Sequence, residues 1–121
     1  MRAVSSAEPL IQTSLLGEAV DASPALVFVA DEAMRYIAVN ATACELLGYT
    51  RRELLELTVP DVAREPEAPE EYEEMLTDGG RDGISILTCK DGSELTFRYR
   101  ANRTTVGRME LWISIGFAIE G

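Results

Sequence analysis

With 121 residues, 46% hydrophobic and 26% charged, the chain has the size and composition of one globular domain around one core. Its formal net charge of −10 argues against binding to nucleic acid or to an anionic membrane, and no apolar run nears the ~20 residues of a membrane-spanning helix. There is no histidine, and the two cysteines, Cys44 and Cys89, lack metal-ligand spacing, so histidine-based catalysis and clustered metal sites are excluded.

The first residues, Met1-Arg-Ala-Val-Ser-Ser6, lack the apolar centre of a signal peptide, and cytoplasm is the expected compartment. Residues 1–21 are expected to form an N-terminal flanking segment and 22–121 the domain proper. Within the first, Glu8 to Val20 carries Ile11, Leu15, Leu16, Ala19 and Val20 at helical spacing, with Pro9 near the first helical position. Gly17 weakens that helix by roughly 1 kcal/mol relative to alanine. It is an amphipathic helix in want of a surface.

Asp21-Ala-Ser-Pro24 is a turn, and Ala25 to Ala30 is an apolar run of strand formers. After a turn at Asp31 to Arg35, Tyr36 to Val39 is a second strand, antiparallel to the first. Asn40 is an N-cap for a short helix over Ala41 to Leu47, which Gly48 ends. Thr50-Arg-Arg-Glu53 is a capping box that starts the next helix. Thr58 to Asp61, with Pro60, begins another short turn. Arg64 to Pro69 is expected as a loop and Glu70 to Leu76 as a helix with Tyr72, Met75 and Leu76 on its apolar side, ended by Gly79-Gly80. Between Asp61 and Asp82 nine acids face only Arg64 and Arg81. This segment holds most of the negative excess and is expected as a solvated helix face and an acidic loop. Three strands follow, at Gly83 to Lys90, Ser93 to Arg103 and Met109 to Ile119. Asp91-Gly92 makes the first hairpin between them and Thr104-Thr-Val-Gly107 the second.

The run Val39-Asn40-x-Ala-x-x-x-Leu-Leu-Gly48-Tyr49-x-x-x-Glu53-Leu54, followed downstream by Lys90-Asp91-Gly92-Ser93 and an alternating strand, resembles a PAS domain. The resemblance covers about Ala22 to Ile119. It implies an α+β fold: a five-stranded antiparallel sheet, helices packed on one face, and the N-terminal flanking helix.

Alternation gives the sheet two faces. Leu95, Phe97, Tyr99 and Ala101 share one, which the resemblance turns toward an internal cavity. Thr96, Arg98, Arg100 and Asn102 share the other. In the last strand the hairpin turns Trp112, Ser114, Gly116 and Ala118 toward the cavity, where the small Ser114 and Gly116 would leave a void beside Trp112. Leu111, Ile113, Ile115, Phe117 and Ile119 then lie outside, a row too apolar to stay wet. A slip of one residue would exchange the two sets.

The expected ligand-binding residues are Phe28, Ala30, Leu47, Met75, Leu87, Phe97, Tyr99, Trp112 and Ser114, suited to a small apolar or aromatic molecule. The expected dimer interface is Ile11, Leu15 and Leu16 from the helix with Leu111, Ile113, Ile115 and Phe117 from the outer sheet, since PAS domains often pair in this way.

Among PAS cofactors, histidine-ligated haem has no ligand here. The covalent flavin adduct needs a cysteine near Thr58 to Ala63 and polar sheet positions where this chain has Leu87, Phe97 and Gly116. The hydroxycinnamate branch needs a cysteine just before the third strand, where none stands. Cys44 and Cys89 are expected as structural thiols. No enzyme constellation is visible.

The expected function is a signal-sensing domain of a bacterial-type signal transduction or transcription regulator. It would bind its ligand in the core, act as a homodimer and pass its state to an effector. The alternatives are a ligand-free dimerisation module and a non-covalent flavin redox sensor. Ala118-Ile-Glu-Gly121 departs from the Asp-Ile-Thr ending common in the family.

Overall fold

A computed structural model describes residues 8–64 and 80–119 of the chain. Its elements in order are α1 (Glu8–Asp21), β1 (Leu26–Ala30), β2 (Tyr36–Val39), α2 (Ala41–Leu47), α3 (Arg51–Leu54), α4 (Val59–Val62), β3 (Ala63–Arg64), β4 (Gly80–Thr88), β5 (Glu94–Val106) and β6 (Met109–Ile119). The six strands form one sheet in the order β2-β1-β6-β5-β4-β3, with every neighbouring pair antiparallel.

Local chemistry explains most of these boundaries. Asn40 caps α2 by accepting from the Ala43 N–H, and Gly48 ends it in the left-handed conformation, φ 80°. Thr50 and Glu53 form the reciprocal capping box of α3. The hairpin between β4 and β5 turns at Gly92, φ 90°, with the Asp91 carboxylate accepting from the Ser93 N–H.

Two expectations are corrected. Arg64 is not loop: with Ala63 it forms the two-residue edge strand β3, paired to Ile86 and Leu87, so the sheet has six strands and not five. The second hairpin is also tighter than expected. Thr104 to Val106 stay in the ladder, Val106 faces Met109, and only Gly107 (φ 62°) and Arg108 turn. The anticipated helix over Glu70 to Leu76, with Met75, lies outside the described residues.

The register settles which face is inner. Phe97 pairs with Ala118, Tyr99 with Gly116 and Ala101 with Ser114 across β5 and β6, while Phe28 pairs with Ser114 and Ala30 with Trp112 across β1 and β6. On this face Leu26, Phe28, Val39, Leu87 and Phe97 meet Ala43 and Leu47 of α2, Leu54 of α3 and Val62 of α4, and these form the core. Gly116 faces backbone, not an empty space. A Cβ there would come within 2.0 Å of the Arg98 carbonyl oxygen and 2.6 Å of Tyr99 Cα, so its smallness serves the approach of β5.

The two stretches that suggested the family touch one another. The Lys90 N–H donates to the Leu47 carbonyl at 2.8 Å, and its ammonium meets the Glu53 carboxylate at 2.6 Å. The helix stop at Gly48 and the Asp91-Gly92 hairpin are two sides of one joint.

Candidate functional site

The inner face divides into a filled half and a hollow half. In the filled half, Leu26, Ala43, Leu47 and Leu54 are all at 0% exposure. In the hollow half lies a cavity of about 310 Å³ between the sheet and α4. Strands β1 and β2 contribute Phe28, Ala30 and Tyr36 to its wall. Strands β4 and β5 contribute Ser85, Leu87, Phe97, Tyr99 and Ala101, and β6 contributes Trp112 and Ser114. Met34, Val59, Pro60 and Ala63 line it from the other side.

Of the nine residues expected to bind a ligand, seven line this cavity: Phe28, Ala30, Leu87, Phe97, Tyr99, Trp112 and Ser114. Leu47 does not. It is wholly buried in the filled half, where α2 presses it among the core side chains. Met75 lies outside the described residues.

The wall is a chain of aromatic contacts. Phe28 lies 5.5 Å from Tyr36 and 5.4 Å edge-on from Phe97, and Phe97 stacks on Tyr99 at 5.2 Å. At the other end the exposed Arg103 guanidinium lies 5.6 Å from the Trp112 ring centroid. Ser85 spends its hydroxyl on the Arg64 carbonyl at 3.1 Å, which ties β4 to β3.

By sequence Tyr36 is a plain strand residue. A bulge in β2 at Ile37, opposite the step from Val29 to Ala30, makes it a cavity residue. Phe28 pairs with Val39 and Val29 with Ala38, but Ala30 pairs with Tyr36, so Ile37 is skipped. Simple alternation from the buried Val39 would turn Tyr36 outward; the bulge turns it in and leaves Ile37 exposed. Burial, and then the Asp61 carboxylate, raise the pKa of its phenol well above the ordinary value, so it keeps its proton.

Met34 is held under backbone strain, a non-glycine residue at φ 64°. Its N–H donates to the Asp31 carbonyl, and its carbonyl accepts from the Val59 N–H at 2.7 Å. The Asp31 carboxylate fixes the same turn by accepting from the N–H groups of Arg35 and Ala33. These bonds, led by that from Arg35, lower its pKa. The turn and α4 are thus one wall.

The opposite surfaces are apolar and open. Ile11, Leu15 and Leu16 of α1 are 57–61% exposed, and Ile115 and Phe117 of the outer sheet are 44% and 54% exposed. So α1 does not cover the outer face of its own sheet. Ile113 is half-buried. Leu111, expected in the same open row, is buried at 7% and presents little surface to a partner.

The last turn of α1 is nevertheless tied to the core. The buried Asn40 amide donates to the carbonyls of Val20 (2.9 Å) and Ala25 (2.8 Å), and its oxygen accepts from the N–H groups of Val27 and Ala43. Asp21 accepts from the Ala41 N–H and pairs with Arg51. Burial raises the pKa of the Cys44 thiol, the opposite of what a reactive thiol needs. Among the described residues no group of three or more His, Cys, Asp or Glu could hold a metal, and no helix is long and apolar enough to cross a membrane.

A sequence profile described as PAS domain matches residues 14–81. None of the curated proteins matches the chain. Among solved structures, a PAS domain from a two-component sensor histidine kinase superposes with a TM-score of 0.80 at 12% identity, covering 92% of this chain and 99% of that one. The PAS domain of an HTR-like protein from Haloarcula marismortui gives 0.75 at 23% identity, covering 93% and 96%. The PAS domain of nitrogen regulation protein NR(II) from Vibrio parahaemolyticus gives 0.72 at 14%, covering 87% and 98%. At these identities the likeness is one of fold.

Proposed function

Since the chain belongs to the PAS domain family, we propose that it is a cytoplasmic, non-enzymatic sensory domain of a signal transduction or transcription regulator. It holds a small apolar or aromatic molecule in its inner cavity and works as a homodimer that acts on an effector. The carrying observation is the 310 Å³ cavity, walled by aromatic side chains on a sheet whose other half is fully packed. Related folds occur in sensor histidine kinases. The dimer joins α1 of each copy, through Ile11, Leu15 and Leu16, with Ile113, Ile115 and Phe117 of the outer sheet. Trp112 and Ser114 on the inner face alternate along β6 with Ile113 and Ile115 on the outer one. A ligand that binds one arrangement of β6 more tightly shifts the dimer by that difference in affinity.

A second reading, the ligand-free dimerisation module, is favoured by the same exposed row on α1 and β6. Native mass spectrometry set against the denatured mass separates the two. A dimer carrying a discrete extra mass is expected. A dimer at the bare sequence mass that also takes up no aromatic probe would leave only the dimerisation module. A bare monomer, or a Phe117→Glu variant as dimeric as the parent, would overturn the interface.

A further inference from the structure

Tyr36 is 4% exposed, its ring lines the cavity, and its hydroxyl has no hydrogen-bond partner among the described residues. Buried hydroxyls are nearly always paired, because one that is not has given up water for nothing. The raised pKa keeps this one an O–H donor through the working pH range. The bulge at Ile37 of β2 turns the ring inward, so its placement is built into the sheet. Around it the wall is mostly apolar and aromatic, with Ser114 and with Ser85, whose hydroxyl is spent on the Arg64 carbonyl. No lysine or arginine is among the described lining residues, and Arg103, which approaches Trp112, does not line the cavity. A carboxylate on a ligand would therefore lose its water without gaining a counter-ion, beside a site that already feels Asp61. A volume of about 310 Å³ stands at the small end of the roughly 300–1,000 Å³ usual for ligand pockets, enough for one or two fused rings.

We infer that the cavity selects an uncharged aromatic compound of one or two rings bearing a hydrogen-bond acceptor, and that the Tyr36 hydroxyl donates to that acceptor. This rests on the reading of the cavity as a ligand site, and the test separates the two. Trp112 is the only tryptophan of the chain and lines the cavity, so its indole N–H gives one signal in a nitrogen–proton correlation spectrum. The full chain is titrated with naphthalene, with its isostere quinoline, which adds one acceptor nitrogen, and with the anion 2-naphthoate.

Quinoline should bind about tenfold more tightly than naphthalene, with 2-naphthoate the weakest. Tyr36→Phe should bring quinoline down to the level of naphthalene or below it, since its nitrogen would then be buried unpaired, and leave naphthalene unchanged. Equal affinity for the two isosteres, or an undiminished preference in Tyr36→Phe, overturns the role of Tyr36 while the ligand site stands. 2-Naphthoate binding as tightly as quinoline overturns the selection by charge. No movement of the Trp112 signal with any of the three overturns the inference and the ligand site together. The parent's own quinoline-to-naphthalene ratio decides the matter if Tyr36→Phe folds poorly.

Discussion

Asn40 and Tyr36 are both buried polar side chains on the inner side of the fold, at 3% and 4% exposure, and they are treated in opposite ways. Asn40 uses its whole amide: two donated and two accepted hydrogen bonds reach α1, the approach to β1, β1 itself and α2. Tyr36 finds no partner for its hydroxyl among the described residues. On the Asn40 side lie wholly buried side chains, Leu26, Ala43 and Leu47; around Tyr36 there is a cavity. One half of the sheet is built for stability. The other forgoes packing that a few larger side chains would supply, as sites for ligands commonly do.

The contrast breaks most sharply at Asn40. Asn40→Ala removes a helix cap and strands the Val27 N–H and the Ala25 carbonyl, while the Val20 carbonyl keeps its bonds from Ser23, and should destabilise the fold by about 3–5 kcal/mol. Urea denaturation measures this; a loss below about 1 kcal/mol would mean that water replaces the amide and that this half is not the anchor. Filling the hollow half should act the other way. Ser114→Val adds strand-favouring apolar volume and should raise stability by about 1 kcal/mol, while weakening uptake of an aromatic probe. Loss of stability would mean that the space is already occupied by compact packing.

The smallest effect concerns the exposed joint between α3 and the β4–β5 hairpin. The Glu53 pKa is lowered, first by the hydrogen bond from Lys90 and then by that from the Thr50 N–H. Ser93 lowers that of Asp91, and the Thr58 N–H and hydroxyl lower that of Asp61. A folded pKa below the unfolded one gives stability that is present above the unfolded pKa, about 4, and lost as pH falls through the folded value. The urea midpoint should therefore be level above about pH 5 and fall below pH 4. In Glu53→Gln the drop should be shallower; an identical acid profile would remove the Lys90–Glu53 pair from the account.

Features fixed by neighbours in sequence were legible: the caps at Asn40 and Thr50, the stop at Gly48 and the turn at Gly92 each depend on residues within one turn. The alternation of β5 and β6 also identified the inner face correctly, because the short hairpin transmits register from one strand to the next. What escaped depends on distant partners. Strand β3 is two residues long and exists because β4 offers an edge. The ties from Asn40 to Val20 and Ala25 cross some 15–20 residues. Tyr36 joins the cavity because β2 bulges at Ile37 against β1, and a bulge is a property of two strands, not of one. Leu47 looked like a pocket residue because its helix does face the sheet, but it faces the half that is filled.

The anchoring of α1 at Val20 and Asp21 has a mechanical consequence. The helix is tied at its last turn and projects Ile11, Leu15 and Leu16 into solvent from a rod of 14 residues, about 20 Å long. A rod fixed at its root is a lever. A tilt of only 5° in its last turn, close to the Asn40 amide, displaces its free end by about 2 Å.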